Sequence, residues 1–155
     1  MPYSITTAEY LEISAYPLAT PAVQITSLMG LWTFSYRGSN RVVDGVSGTE
    51  GNPHRLTETH VLLPGVVSGD FDSTGAPTPG VRAGLATNLD ELFTNVLDEV
   101  TVGDGSRPAL WHRGDGTVVG ADIQVTGFEV TSKEPTKHFF DLDILVLPGK
   151  WTLVP

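Results

Sequence analysis

Apolar positions follow two different periods along this chain. Phe140, Leu142, Ile144 and Val146 alternate with Phe139, Asp141, Asp143, Leu145 and Leu147, the period of two that marks a strand. One face of that strand, His138 to Leu147, is wholly apolar. The other is mixed, with charge in the middle and apolar ends, which suits a strand packed on a core and turned toward a neighbouring subunit or solvent. Val119, Ala121, Ile123 and Val125 alternate with Gly120, Asp122 and Gln124 and predict a second strand within a run that reaches Val130. Between Val81 and Val96 the period changes. Val81, Leu85, Leu89, Leu92, Phe93 and Val96 are spaced as one stripe of an amphipathic helix, predicted over about 80–97. Gly80 or Thr78 caps its start in this reading, and Gly103-Asp104-Gly105 returns the chain.

Shorter segments read as strands punctuated by prolines: Glu9 to Ile13, Tyr16-Pro17-Leu18, Ala22 to Ile25, Leu31 to Tyr36, and Arg55 to Leu63, ending at Pro64-Gly65. Ala109 to His112 precedes a turn at Gly114-Asp115-Gly116. Residues 37–52 are rich in glycine and small polar residues, so a long loop or extended arm is expected there. Residues 69–80 form a second polar stretch, and Lys150 to Val154 is a short apolar tail that must dock. These elements predict a mainly β fold, a sandwich or barrel with one flanking helix.

The totals fit that picture. A chain of 155 residues with 40% apolar and 17% charged residues has the size and composition of one domain, 1–155. Its 17 glycines and 11 prolines, without a repeat, favour short elements joined by tight turns. A formal charge of −9 opposes binding to phosphate backbones and anionic membranes, although an acidic wall suits a conduit through which DNA passes without sticking. The absence of cysteine removes disulfides, thiolate zinc sites and thiol nucleophiles. No stretch approaches the ~20 apolar residues of a membrane helix, and the start lacks a signal-peptide pattern, so a soluble protein is expected.

Catalytic chemistry finds little support. His54, His60, His112 and His138 show no metal-ligand spacing on one element and no nucleophile or zincin motif, and read as surface or strand-edge residues. Asp141 and Asp143 project to one side of a strand, where two carboxylates could share a proton or hold a cation; an exposed acidic face is the plainer reading. Asp70-Phe71-Asp72-Ser73-Thr74-Gly75 imitates the opening of a calcium loop, but its twelfth position is Val81 where a bidentate glutamate belongs. Neither metal nor cofactor is expected.

The order of several motifs carries a family likeness. Leu11-Glu12-Ile13, Pro17-Leu18, Pro21-Ala22, Leu31-Trp32, Arg37-Gly38-Ser39-Asn40-Arg41-Val42-Val43 and Gly45-Val46-Ser47-Gly48 resemble the opening of short minor tail proteins from phages of actinobacteria. Gly69-Asp70-Phe71-Asp72 with Gly75, Arg82 to Leu89, Asn95-Val96 and Gly103-Asp104-Gly105 continue the likeness, which covers about Leu11 to Pro148. Val42-Val43-Asp44, Glu50 and Thr57-Glu58-Thr59-His60 depart from it.

The resemblance implies a non-enzymatic virion component of the phage tail, assembled in the host cytoplasm. Its fold would be of the tail-tube type. It would form a ring homo-oligomer, a hexamer, at the tail tube or tip, enclosing the DNA channel and contacting other tail proteins, with no specific nucleic-acid binding and no membrane. Edge strands would pair between copies. Arg37, Arg41 and Arg55 are candidates for pairing with carboxylates of an adjacent copy, with Asp44, Asp141 and Asp143 as further interface residues; ordinary solvated charge is the competing reading. Two alternatives remain beside it: a head-tail adaptor, and a glycan-binding host-recognition module stacking on Trp32, Trp111, Trp151 and Tyr36. Exposure of two or more tryptophans in one concave patch would favour the glycan reading.

Overall fold

The computed structural model describes residues 3–37, 41–42, 49–50, 55–98 and 105–154. Its strands are β1 (Tyr10–Ile13), β2 (Tyr16–Pro17), β3 (Val23–Ile25), β4 (Ser35–Arg37), β5 (Arg41–Val42), β6 (Thr49–Glu50), β7 (Arg55–Thr57), β8 (Thr59–Ser68), β9 (Ser106–His112), β10 (Val118–Lys133), β11 (Lys137–Val146) and β12 (Thr152–Leu153). The helix α1 (Val81–Leu92) lies between β8 and β9 and runs into a π-helical turn, Phe93–Leu97. The fold is mainly β with one flanking helix, as the two hydrophobic periods predict.

An antiparallel sheet of eight strands, ordered β2-β1-β9-β10-β11-β8-β3 with β12 beside β10, forms the body. The sheet curls until its two ends meet. Ala19 bridges Gln24, the Thr20 amide donates to the Val23 carbonyl at 2.8 Å, and the Ile25 amide donates to the Leu18 carbonyl at 3.1 Å. Joining the ends removes two open edges that would otherwise invite indiscriminate pairing. The alternation of β11 does what the sequence requires: Phe140, Leu142, Ile144 and Val146 are all buried. They meet Leu11, Ile13, Leu63, Trp111 and Ile123 in one core, each large side chain contributing roughly 1.5–3 kcal/mol by leaving water.

Proline and glycine do not stop the strand at residues 64 and 65, as the sequence suggests, because β8 continues to Ser68. The Pro64 carbonyl accepts from the Thr26 amide at 2.8 Å. In an extended strand the amide and carbonyl of one residue point to the same neighbour, so the missing donor of Pro64 falls just past the end of β3 and breaks no ladder bond. Leu31 to Tyr36 also departs from expectation. Met29–Trp32 forms a 3-10 turn and extended pairing begins at Ser35.

The helix docks through glycine. A Cβ on Gly84 would lie 2.1 Å from the Gly69 carbonyl oxygen, and one on Gly69 would lie 2.3 Å from the Val81 carbonyl oxygen, so the two backbones touch. Asn88, buried in the interface, donates to the Ser68 carbonyl at 2.7 Å and to the Phe71 carbonyl at 2.9 Å. The expected stripe is inward at Leu85, Leu92 and Val96, but Phe93 is exposed. The π turn that begins at Phe93 widens the helix and rotates this residue off the stripe. No side chain caps the start at Gly80; Thr78 Oγ1 instead donates to the Gly69 carbonyl at 2.6 Å. Glu91 faces Tyr16, whose phenol is pushed far above its ordinary value, by burial first and then by that carboxylate. The buried Arg107 guanidinium donates to the Asp98 carbonyl where the π turn ends.

The apolar tail docks as β12, pairing Leu153 with Val119 and Thr152 with Gly120. Trp151 packs against Trp111 with ring centroids 5.8 Å apart.

Candidate assembly surface

Two regions hold the residues singled out for subunit contact. The first is a ribbon separate from the eight-stranded sheet. Ser35, Tyr36 and Arg37 of β4 pair with Thr57, Leu56 and Arg55 of β7, and farther along Arg41 and Val42 of β5 pair with Glu50 and Thr49 of β6. The predicted loop or arm at 37–52 is therefore strand-paired at both described steps, in two separate two-stranded pairings. Gly45 to Ser47 and Asp44 lie outside the described residues. At its base the Ser35 amide donates to Thr59 Oγ1 at 3.0 Å, and Thr59 is buried. Phe34 and Tyr36 are 39% and 63% exposed, a large aromatic area left to solvent beside that base.

The second region is the outward face of β8, β11 and β10. Opposite the core row of β11 stand Phe139, Asp141, Asp143 and Leu145. Their β8 partners are Val66, Pro64, Leu62 and His60. On the other side Asp143 meets Gly127 and Asp141 meets Glu129. His60 Nδ1 is 3.8 Å from Asp143 Oδ1. Leu62, in the middle of this row, is 57% exposed. Beyond Gln124, among the described residues, β10 has lost β9 and pairs with β11 alone, so residues 126–133 form an edge on that side. Bulges at Thr126 and Thr131 interrupt that edge, a device that restricts which strand can add to it.

The sequence candidates thus divide. Arg37, Arg41 and Arg55 lie on the ribbon, and Asp141 and Asp143 share the outward face of β11. The registers do not join the two sets within one copy. The exposed Leu62 and the Glu129 beside Asp141 were missed by sequence reading, because strand partners, which long-range register alone fixes, decide their surroundings.

The remaining chemistry is structural. Asp72 Oδ1 accepts from the Thr74 amide (2.9 Å), the Thr74 hydroxyl (2.6 Å) and the Ala76 amide (3.0 Å). These bonds, the Thr74 hydroxyl first, hold its carboxyl below the usual range, and they make the calcium-like segment a self-closed turn. Among the described residues no three histidine, aspartate or glutamate side chains gather as metal ligands. His112 stacks on Tyr10, His138 Nδ1 lies 3.1 Å from the Lys137 carbonyl, and His54 is outside the described residues. No helix of the described residues is long and apolar enough to cross a membrane.

The tryptophans do not share one exposed patch. Trp32 is 56% exposed, whereas Trp111 is fully buried behind it and Trp151 is half-buried. Trp32 lines a cleft of about 730 Å³ together with Tyr10, Glu9 and Gln24.

No protein-family model matches the chain, and no curated protein matches it. Solved structures do share its fold. The Dit protein of phage SPP1, described as a paradigm of the hub adsorption apparatus in phages infecting Gram-positive hosts, superposes with a TM-score of 0.62 at 12% identity, over 92% of this chain and 51% of that one. A chain of the native gene transfer agent virion superposes with a TM-score of 0.50 at 7% identity, over 96% of both chains. The chain spans about half the length of the Dit protein.

Proposed function

We propose that this chain is a structural, non-catalytic protein of a phage tail, located in the virion, whose copies assemble into a ring around the tail axis. The observation that carries the reading is the ribbon. Among the described residues its strands pair with each other and with no strand of the eight-stranded sheet, and Phe34 and Tyr36 beside its base keep a large aromatic area in water that a neighbouring copy can cover. A second copy packed on that base buries these two rings. The shared fold with two virion and tail proteins supports the same reading.

The mechanism is mechanical. The sheet's own ends are joined, so the ribbon and the outward face of β8, β11 and β10 remain as two different surfaces of one subunit. Contact between unlike surfaces is head-to-tail, and head-to-tail contacts close into a ring when the rotation between copies permits. The ribbon carries Arg37, Arg41 and Arg55, and the facing surface carries Glu129, Asp141 and Asp143, so arginine–carboxylate pairs join them across the interface. We assign the chain to one domain and the ring to six copies on the minor-tail resemblance, with the DNA channel through the centre and other tail proteins above and below.

Negative-stain imaging of the purified protein tests this directly. Closed rings or stacked rings are expected, and Arg41→Glu should disperse them. A field of single particles at high concentration, unchanged by that substitution, would refute ring formation.

A further inference from the structure

The cleft beside Trp32 is built differently from an ordinary gap between loops. Its two aromatic walls are each backed by a planar group from the end of β9. Tyr10 stacks on His112 with centroids 4.2 Å apart and planes 8° from parallel. Trp32 has the Arg113 guanidinium over its ring, 4.9 Å from the centroid, and meets Trp111 edge-on at 4.8 Å. Arg113 lies equally over Trp111, at 4.7 Å, so Trp32, Arg113 and Trp111 form one packed unit anchored in the core. Each wall ring is therefore fixed before any ligand arrives, and Trp32 still keeps more than half of its surface in water.

Polar groups complete the cleft. Glu9, Gln24, Thr6 and Thr7 line one part of it, with Gln24 Nε2 donating to Thr6 Oγ1 at 3.4 Å, and Leu18, Ile25, Leu28 and the exposed Met29 line the rest. Among the described lining residues Glu9 carries the one charge, and the Arg113 guanidinium behind Trp32 offsets it, so the site has no dominant charge to select an ionic ligand. Its volume suits a small molecule of one or two rings. A ligand that pairs an apolar ring face with a rim of hydroxyls matches a fixed indole flanked by acceptors and donors; a purely apolar ligand leaves Glu9 and Gln24 unpaired.

We propose that this cleft binds a neutral carbohydrate, with a sugar ring lying on Trp32 and its hydroxyls held by Glu9, Tyr10 and Gln24. The cleft belongs to a single subunit and does not depend on the ring.

Intrinsic tryptophan fluorescence and calorimetry on the full chain, titrated with glucose, galactose, N-acetylglucosamine and maltose, test it. At least one sugar should give a saturable blue shift and a measurable heat. Trp32→Ala and Gln24→Ala should each weaken that heat roughly tenfold or more, the range for losing a stacking or hydrogen-bonding group, while circular dichroism stays unchanged. Absence of saturable binding by every sugar up to about 100 mM, weaker than any specific site of this size, overturns the proposal. So does binding that Trp32→Ala leaves intact. If Trp32→Ala disperses assemblies and no sugar binds, the cleft is a subunit contact and only the ring reading survives.

Discussion

Asp141 and Glu129 are direct partners across the β10–β11 ladder, both on the outward face of the sheet. Like charges at one register position repel, and among the described residues His60 approaches the acidic row at Asp143. In the proposed ring, an arginine from a second copy relieves the repulsion. Glu129→Lys should therefore raise the thermal stability of the dispersed subunit by about 0.5 kcal/mol, the size of a cross-strand ion pair, while weakening assembly. Calorimetry of dispersed protein and sedimentation of assembled protein read the two effects separately. Loss of both together would mean that the acidic row is not an interface.

Gly65 is opposite Phe140, and a Cβ there would sit 2.3 Å from Phe140 Cζ and 2.8 Å from the Gln24 carbonyl oxygen. Both neighbours belong to the packed sheet and cannot withdraw. Gly65→Ala should cost about 2–3 kcal/mol, as overpacked cores do, measured by urea unfolding.

Asn88 fastens the helix to the end of β8 through two carbonyls. Replacing it with alanine removes the donor from both carbonyls and leaves a gap at the helix contact, which costs about 1–2 kcal/mol. Hydrogen exchange should show the protection lost first across residues 81–92, before the sheet.

Asp72 gives a pH-dependent prediction. Its folded carboxyl titrates below the ordinary 3.8 because the ionised form accepts three hydrogen bonds. A depressed folded value means that the stabilisation is present above the unfolded value and is lost as pH falls through the folded one. Asp72→Ala should therefore unfold more easily than the parent near neutral pH, and the gap should close below the carboxylate range. Added calcium should leave the melting temperature of the parent unchanged, since the turn already occupies the oxygen that a cation needs.

Local pattern revealed much of the fold. The alternation from Phe139 to Leu147 fixed the buried face of β11, and the spacing from Val81 to Val96 fixed the helix, because both periods are set by neighbours a few residues away. Features set by distant partners stayed hidden. Pro64 is tolerated only because β3 ends beside it, and the 3-10 turn at Met29–Trp32 displaced an expected strand. The backing of Tyr10 by His112 joins residues roughly a hundred positions apart, and that of Trp32 by Arg113 residues roughly eighty apart, which no local period encodes. The charged candidates were legible as types. Their grouping into a ribbon set and a sheet-face set needed the register.

The absolute mass of the purified protein by light scattering, across a wide concentration range, tests the central claim most directly. Assembly into a ring predicts a fixed multiple of the 16.6 kDa chain, six by the minor-tail resemblance, that falls toward one when Arg41→Glu is introduced. A mass that stays at one chain at every concentration, in parent and variant alike, would contradict the account.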